Sequence, residues 1–252
     1  MNSSTFSWEY TVYKGIYDYK KKLDMSYHLT PSEHPTQEEV NTKIIMRQLA
    51  DPIQLNTVAH IILSYRDQIL KEGWTRDQTA RAIISLVQSI PYDSESVEQG
   101  IIVGRLPYQV LYDNKGICEE KSLLLALMLK HLGYGVALLR FPQENHMAVG
   151  IKCPKEYGYA DTEYCFIETT SPAFITDADA EYAGGVKLTN KPEVIVISEG
   201  ETYTDLSNEL SDLATWRTLW AKDDDTASWQ DCDTINKLAE KYGLKSNCKR
   251  GF

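Results

Sequence analysis

The sequence predicts an α+β fold in which helices come first and an antiparallel sheet follows. Three observations carry this. Amphipathic stretches with capping signals fill the chain from Thr36 to Ile90. A leucine-rich helix is expected over Cys118 to His131, bracketed by a turn at Asn114-Lys115-Gly116 and by Gly133. Four short apolar runs then read as strands: Val136 to Phe141, His146 to Lys152, Tyr164 to Thr169, and Val194 to Ile197. The expected organisation is a strand and helical lead-in over 1–74, a core over 75–200, and a helical extension over 201–252.

The N-terminal segment is aromatic. After Lys14-Gly15, the residues Tyr17, Tyr19, Lys21, Leu23, Met25, Tyr27 and Leu29 alternate along the chain, which predicts a half-buried antiparallel strand. On that reading Lys20-Lys21-Lys22 is a solvated strand edge that blocks further pairing. His28 and His34 have no ligand-spaced neighbours and read as surface residues. Two amphipathic helices are expected over Thr36 to Leu49 and Gln54 to Lys71. His60 lies among Val58, Ile61 and Ile62 and reads as a histidine at the core edge. Thr75 opens a third helix with Gln78 completing a capping box. Ala80, Ile83, Ile84 and Val87 form its apolar stripe, and Pro91 stops it.

The helix over Cys118 to His131 raises a question of its own. Leu123, Leu124, Leu127, Met128 and Leu132 cover much of its circumference, so it belongs at the centre of the core. A packing thiol belongs in the middle of such a helix, yet Cys118 stands in its first turn. Unpaired backbone N–H groups and the helix dipole favour negative charge there, so a thiol at this place is set up as a nucleophile. A nucleophile needs a base, and a base needs an orienting partner. His146 stands at the entry of an apolar strand, where its ring can face a cleft. Glu168 stands beside Phe166 and Ile167, where a carboxylate is costly unless paired. Asp161 is the rival acid, but its Gly158-Tyr159 surroundings read as a solvated loop.

The order of these residues resembles the transglutaminase-like superfamily, a branch of the papain-like cysteine enzymes. The matching stretches are Gly116-Ile117-Cys118-Glu119-Glu120, His146-Met147-Ala148-Val149-Gly150 and Glu168-Thr169-Thr170, with "SIPYD" at Ser89 to Asp93 and "RLPYQVL" at Arg105 to Leu111 as the lead-in of microbial members. The resemblance spans Thr75 to Ser198. It implies a papain-like core whose catalytic helix packs on the sheet, and a Cys118–His146–Glu168 triad performing acyl transfer on an amide of a protein or peptide. It implies no cofactor. Cys118 would attack, His146 would move the proton, and Glu168 would hold the imidazole. The Cys118 N–H is an expected oxyanion donor, with Gln109 and Tyr108 as candidates for the second. The family more often has aspartate as its third member and tryptophan near the histidine. Here the acid is glutamate and that tryptophan is missing, so water is the first acceptor considered and an amine the second. A silent binding module is the reading from another class.

Composition bounds the partners. The chain has 252 residues and a net charge of −10, from 36 acids against 26 bases, which argues against nucleic acid as the main partner. No run of about 18 apolar residues predicts a membrane span. The opening "MNSSTFSWEY" lacks the basic and apolar regions of a signal peptide. Localisation stays open, including an extracytoplasmic domain whose leader lies outside this sequence. Five cysteines show no CxxC spacing, so no zinc site is expected. Cys232 and Cys248 stand either as a disulfide or as two free thiols, and Cys153 and Cys165 read as structural. Asp223-Asp224-Asp225 lacks the loop spacing of a calcium site and reads as a solvated turn.

Overall fold

A computed structural model describes residues 9–23, 34–64, 69, 71–100, 104–179, 182, 185–222, 227–246 and 248. Among these residues the helices are α1 (Lys14–Lys21), α2 (Gln37–Leu49), α3 (Pro52–Ser64), α4 (Arg76–Ser89), α5 (Ser94–Glu98), α6 (Pro107–Asp113), α7 (Cys118–His131), α8 (Ser207–Trp220) and α9 (Trp229–Tyr242). The strands are β1 (Val136–Phe141), β2 (His146–Lys152), β3 (Tyr164–Ile167) and β4 (Glu193–Ser198). The fold is therefore α+β, as the sequence pattern implies.

The sheet runs β3-β2-β1-β4, with antiparallel neighbours throughout. Helix α7 packs on β1 and β2 and is flanked by α3, α4 and α6. Its residues from Glu120 to Leu129 are all buried, which explains a helix apolar around nearly its whole circumference. Gly116 enters this helix through a narrow space. A Cβ there would lie 3.3 Å from both Glu120 Oε2 and Lys121 Cγ, so the glycine lets the entering backbone press against the first turn.

The capping signals hold where expected. Thr36 caps α2 through Glu39, and Thr75 caps α4 through Gln78, each in a reciprocal box. The N-terminal segment departs from the expected strand. Residues 14–21 form α1, whose inward side is Ile16, Tyr17 and Lys20. Those positions follow helical spacing, and docking of Tyr17 on Tyr112, with ring centroids 4.4 Å apart, selects them over the alternating pattern. Lys20 is accordingly buried and ion-paired with Asp51, not a solvated edge. Met25, Tyr27, His28 and Leu29 lie outside the described residues, as do Asp223, Asp224 and Asp225. His34 is exposed as expected. His60 is exposed too, because α3 turns Val58, Ile61 and Ile62 inward and carries position 60 away from the core.

Two disulfides staple the fold. Cys153 and Cys165 join the end of β2 to β3, and Cys232 joins α9 to Cys248 beyond it. Cys118 is the remaining free cysteine. Closing a loop of 12 residues between Cys153 and Cys165 limits the unfolded chain, a gain of about 3 kcal/mol for a loop of that order. The double substitution Cys153→Ser with Cys165→Ser is expected to lower unfolding stability by about that amount in urea. An unchanged midpoint would show that this bridge adds nothing to the folded sheet.

A candidate thiol active site

The site starts with the helix that carries Cys118. Glu120 reaches back to accept from the Ile117 N–H at 3.1 Å. Its other oxygen accepts from the Arg105 N–H at 2.7 Å, and the Arg105 guanidinium donates to Glu120 at 3.1 Å. The same guanidinium pairs with Asp93 at 2.8 Å and Asp113 at 2.9 Å. Lys115 adds a second cation on Asp93 at 3.1 Å. One buried cation thus binds the segment after α4, the end of α6 and the first turn of α7. The backbone N–H groups of Cys118, Glu119 and Glu120 bond to no described residue, so they remain open toward the thiol's surroundings.

The sheet brings the other two residues. Ser122, one turn along α7 on the Cys118 side, donates to the Met147 carbonyl at 3.1 Å and pairs with Thr169 at 3.0 Å. This fastens the helix face to the start of β2 and the end of β3. His146 opens β2 with 5% of its surface exposed, and Glu168 follows β3 with none. His146 Nε2 donates to Glu168 Oε2 at 2.9 Å, which leaves Nδ1 for the thiol. The second Glu168 oxygen accepts from the Thr169 N–H at 3.0 Å, the Thr170 N–H at 2.7 Å and the Thr170 hydroxyl at 2.6 Å. A carboxylate buried this deeply stays charged because both oxygens are bonded. Burial works to raise Glu168, but His146 and Thr170 outweigh it and hold the group below the usual carboxylate range.

Cys118 is the other neighbour of the ring. No Sγ–N bond of regular geometry joins them, but the two groups interact strongly. Burial lowers His146, while Cys118 and then Glu168 raise it further, to about 10. Tyr182 stacks on the ring, parallel to it within 2° and 5.5 Å away between centroids. The Tyr182 hydroxyl donates to the Asp177 carbonyl at 2.8 Å, and Arg217 of α8 holds the Asp177 carboxylate at 2.6 Å. The C-terminal extension therefore braces the plate that lies over His146.

The three residues singled out by sequence, Cys118, His146 and Glu168, meet at the junction of α7 with β2 and β3. Asp161 is exposed and paired with Lys191 at 2.8 Å. Of the two oxyanion candidates, the Tyr108 hydroxyl is committed elsewhere, while Gln109 spends only its carbonyl oxygen. The Tyr108 hydroxyl donates to the Tyr13 carbonyl at 3.2 Å and accepts from its N–H at 2.6 Å. Gln109 Oε1 accepts from the Leu106 N–H at 2.9 Å, starting α6. Pro107 opens α6, where its fixed φ suits the first turn. Tyr182 and Arg105 were not singled out as site residues. Tyr182 lies in a loop without periodicity, and Arg105 shows its role only when three distant acids converge on it.

No family model matches the chain, and no curated protein matches it in sequence. Among the described residues, no helix is long and apolar enough to cross a membrane.

Two measurements check this electrostatic frame. Arg105→Ala strands Asp93, Asp113 and Glu120 without their shared cation and is expected to cost about 3–5 kcal/mol in urea unfolding. Arg105→Lys should recover little, because a lysine offers one point charge in place of a three-way fork. Full stability in either variant would remove Arg105 from the centre of the frame. The second measurement concerns pH. His146 is held above its unfolded value, so the native state retains a proton that the unfolded chain loses. Its contribution is complete below about 6.5 and is lost as pH rises through about 10. Wild type should therefore lose stability relative to His146→Ala across that alkaline window. Parallel pH profiles for the two proteins would contradict it.

Proposed function

We propose that the chain is a thiol-dependent amide hydrolase, a peptidase or amidase, working through an acyl-enzyme on a papain-like, transglutaminase-like core. The observation that carries this reading is Glu168. A carboxylate with no exposed surface is bonded to one nitrogen of His146, and the only unpaired cysteine opens a helix beside that ring. A structural thiol has no need of such a base or such an acid.

The Cys118 sulfur attacks the amide carbonyl, and the carbonyl π pair moves onto oxygen. Open N–H groups of the first α7 turn face the developing charge. His146, charged at neutral pH by its two neighbours, gives its proton to the leaving nitrogen as the carbon–nitrogen bond breaks. Water then attacks the thioester, returning a proton to His146 and releasing the acid. Glu168 keeps the ring in one orientation and stabilises its charged form. An amine in place of water would give transfer by the same steps, which product analysis with added amine distinguishes.

Since the other four cysteines are paired in disulfides, iodoacetamide should add once per native chain, at Cys118. Turnover of p-nitrophenyl acetate should vanish in Cys118→Ala and fall by about 10²-fold or more in Glu168→Gln, with the fold retained. A fully active Glu168→Gln protein would exclude the triad, and a wild type that never acylates would exclude the enzyme reading.

A further inference from the structure

Resting on the acyl-transfer reading, we propose that Tyr92 is a catalytic residue whose phenolic hydroxyl donates to the acyl oxygen while Cys118 attacks, completing an oxyanion hole with the first-turn N–H groups of α7.

The placement comes from the backbone. Tyr92 pairs in parallel with Gly116, two residues before Cys118. The Gly116 N–H donates to the Pro91 carbonyl at 3.2 Å, and the Asp93 N–H donates to the Gly116 carbonyl at 3.2 Å. Tyr92 is thus clamped from both sides against the segment that leads into the thiol helix.

Its neighbours are clamped as well. Asp93 is held by Arg105, by Lys115 and by the Ser96 hydroxyl at 2.7 Å. On the other side, the fully buried Lys121 donates to the Ile90 carbonyl at 2.5 Å and the Gln88 carbonyl at 3.3 Å. Lys121 stands one turn after Cys118, so the nucleophile's own helix fixes the approach to Tyr92. Gln88 in turn donates to the Glu168 carbonyl at 2.9 Å. The segment bearing Tyr92 is therefore tied to the elements that carry Cys118 and Glu168.

The side chain itself is left uncommitted. Tyr92 is half-buried, and its hydroxyl bonds to no described residue. Tyr10, Tyr108, Tyr134, Tyr182 and Tyr242 all spend theirs on fixed acceptors. Burial first, and then the proximity of Cys118, Glu168, Glu120 and Asp93, raise Tyr92 to about 12. The hydroxyl therefore keeps its proton at neutral pH and shares the electrostatic surroundings of both thiol and acid. A neutral donor suits this place, since it meets the oxyanion without competing for the imidazole's proton.

Two reactions at one sulfur separate this role from others. Alkylation by iodoacetamide displaces iodide and forms no oxyanion. Acylation by p-nitrophenyl acetate forms the sulfur–carbon bond as the carbonyl π pair moves to oxygen, then breaks the carbon–oxygen bond to release p-nitrophenolate. Both are measured in wild type and in Tyr92→Phe, which keeps the ring, with thermal unfolding as the check on folding. The expected result is a loss of roughly 10²-fold in acylation, with alkylation unchanged. Installing 3,5-difluorotyrosine at position 92, which retains a hydroxyl, should restore acylation. If Tyr92→Phe leaves acylation intact, or slows both reactions alike, the hydroxyl is not an oxyanion donor. If the fluorinated residue fails to rescue a folded protein, the assignment also falls. A wild type that alkylates at Cys118 but never acylates defeats the acyl-transfer reading itself, a result visible without any variant.

Discussion

One buried guanidinium sets the position of the candidate nucleophile. Arg105 binds Asp93, Asp113 and Glu120, and those three acids lie on three separate pieces of chain. Without the cation, their mutual repulsion would drive apart the segment after α4, the end of α6 and the first turn of α7. With it, Glu120 is free to close the helix start on Ile117, and Cys118 is presented beside that start. The arrangement is demanding, because a buried ion pair adds little net stability but is costly to break. What it contributes here is a defined geometry.

The second half of the site depends on the sheet. Register puts His146 at the mouth of β2 opposite Phe141 of β1. Glu168 is delivered by the chain leaving β3, next to that same strand. Ser122 then joins helix to sheet through the Met147 carbonyl. The charge on Glu168 survives burial only because Thr169, Thr170 and His146 satisfy both oxygens. Tyr182 stacks on the imidazole, and its link through Asp177 to Arg217 makes α8 part of the same support.

Sulfur is divided cleanly in this chain. Four cysteines stabilise loops as disulfides, and the fifth faces a histidine. Disulfides persist in oxidising surroundings, where an unpaired thiol would be at risk of pairing. The sequence left the Cys232–Cys248 pairing open, because 16 residues of separation are compatible with a bridge or with two thiols until the chain path brings the atoms together.

Much of the architecture was legible locally. The helix caps at Thr36 and Thr75, the leucine-rich α7 and all four strands depend on residues close in sequence, whose periodicity and capping chemistry act over a turn or two. The candidate triad was also legible, because each member violates its local pattern: a thiol at a helix start, a histidine at a strand mouth, an acid among apolar residues. What only the tertiary structure decided rests on partners far apart in the chain. Alternation suggested a strand from Tyr17 to Leu29, but over the described residues 14–21 Tyr112 and Asp51 selected a helix by offering it a stacking ring and a counter-charge. The same held for Tyr108, whose hydroxyl is held by the distant backbone of Tyr13, and for Tyr182 and Arg105. Their roles come from through-space packing and charge, and these are determined by the meeting of distant segments, which no single stretch of sequence encodes.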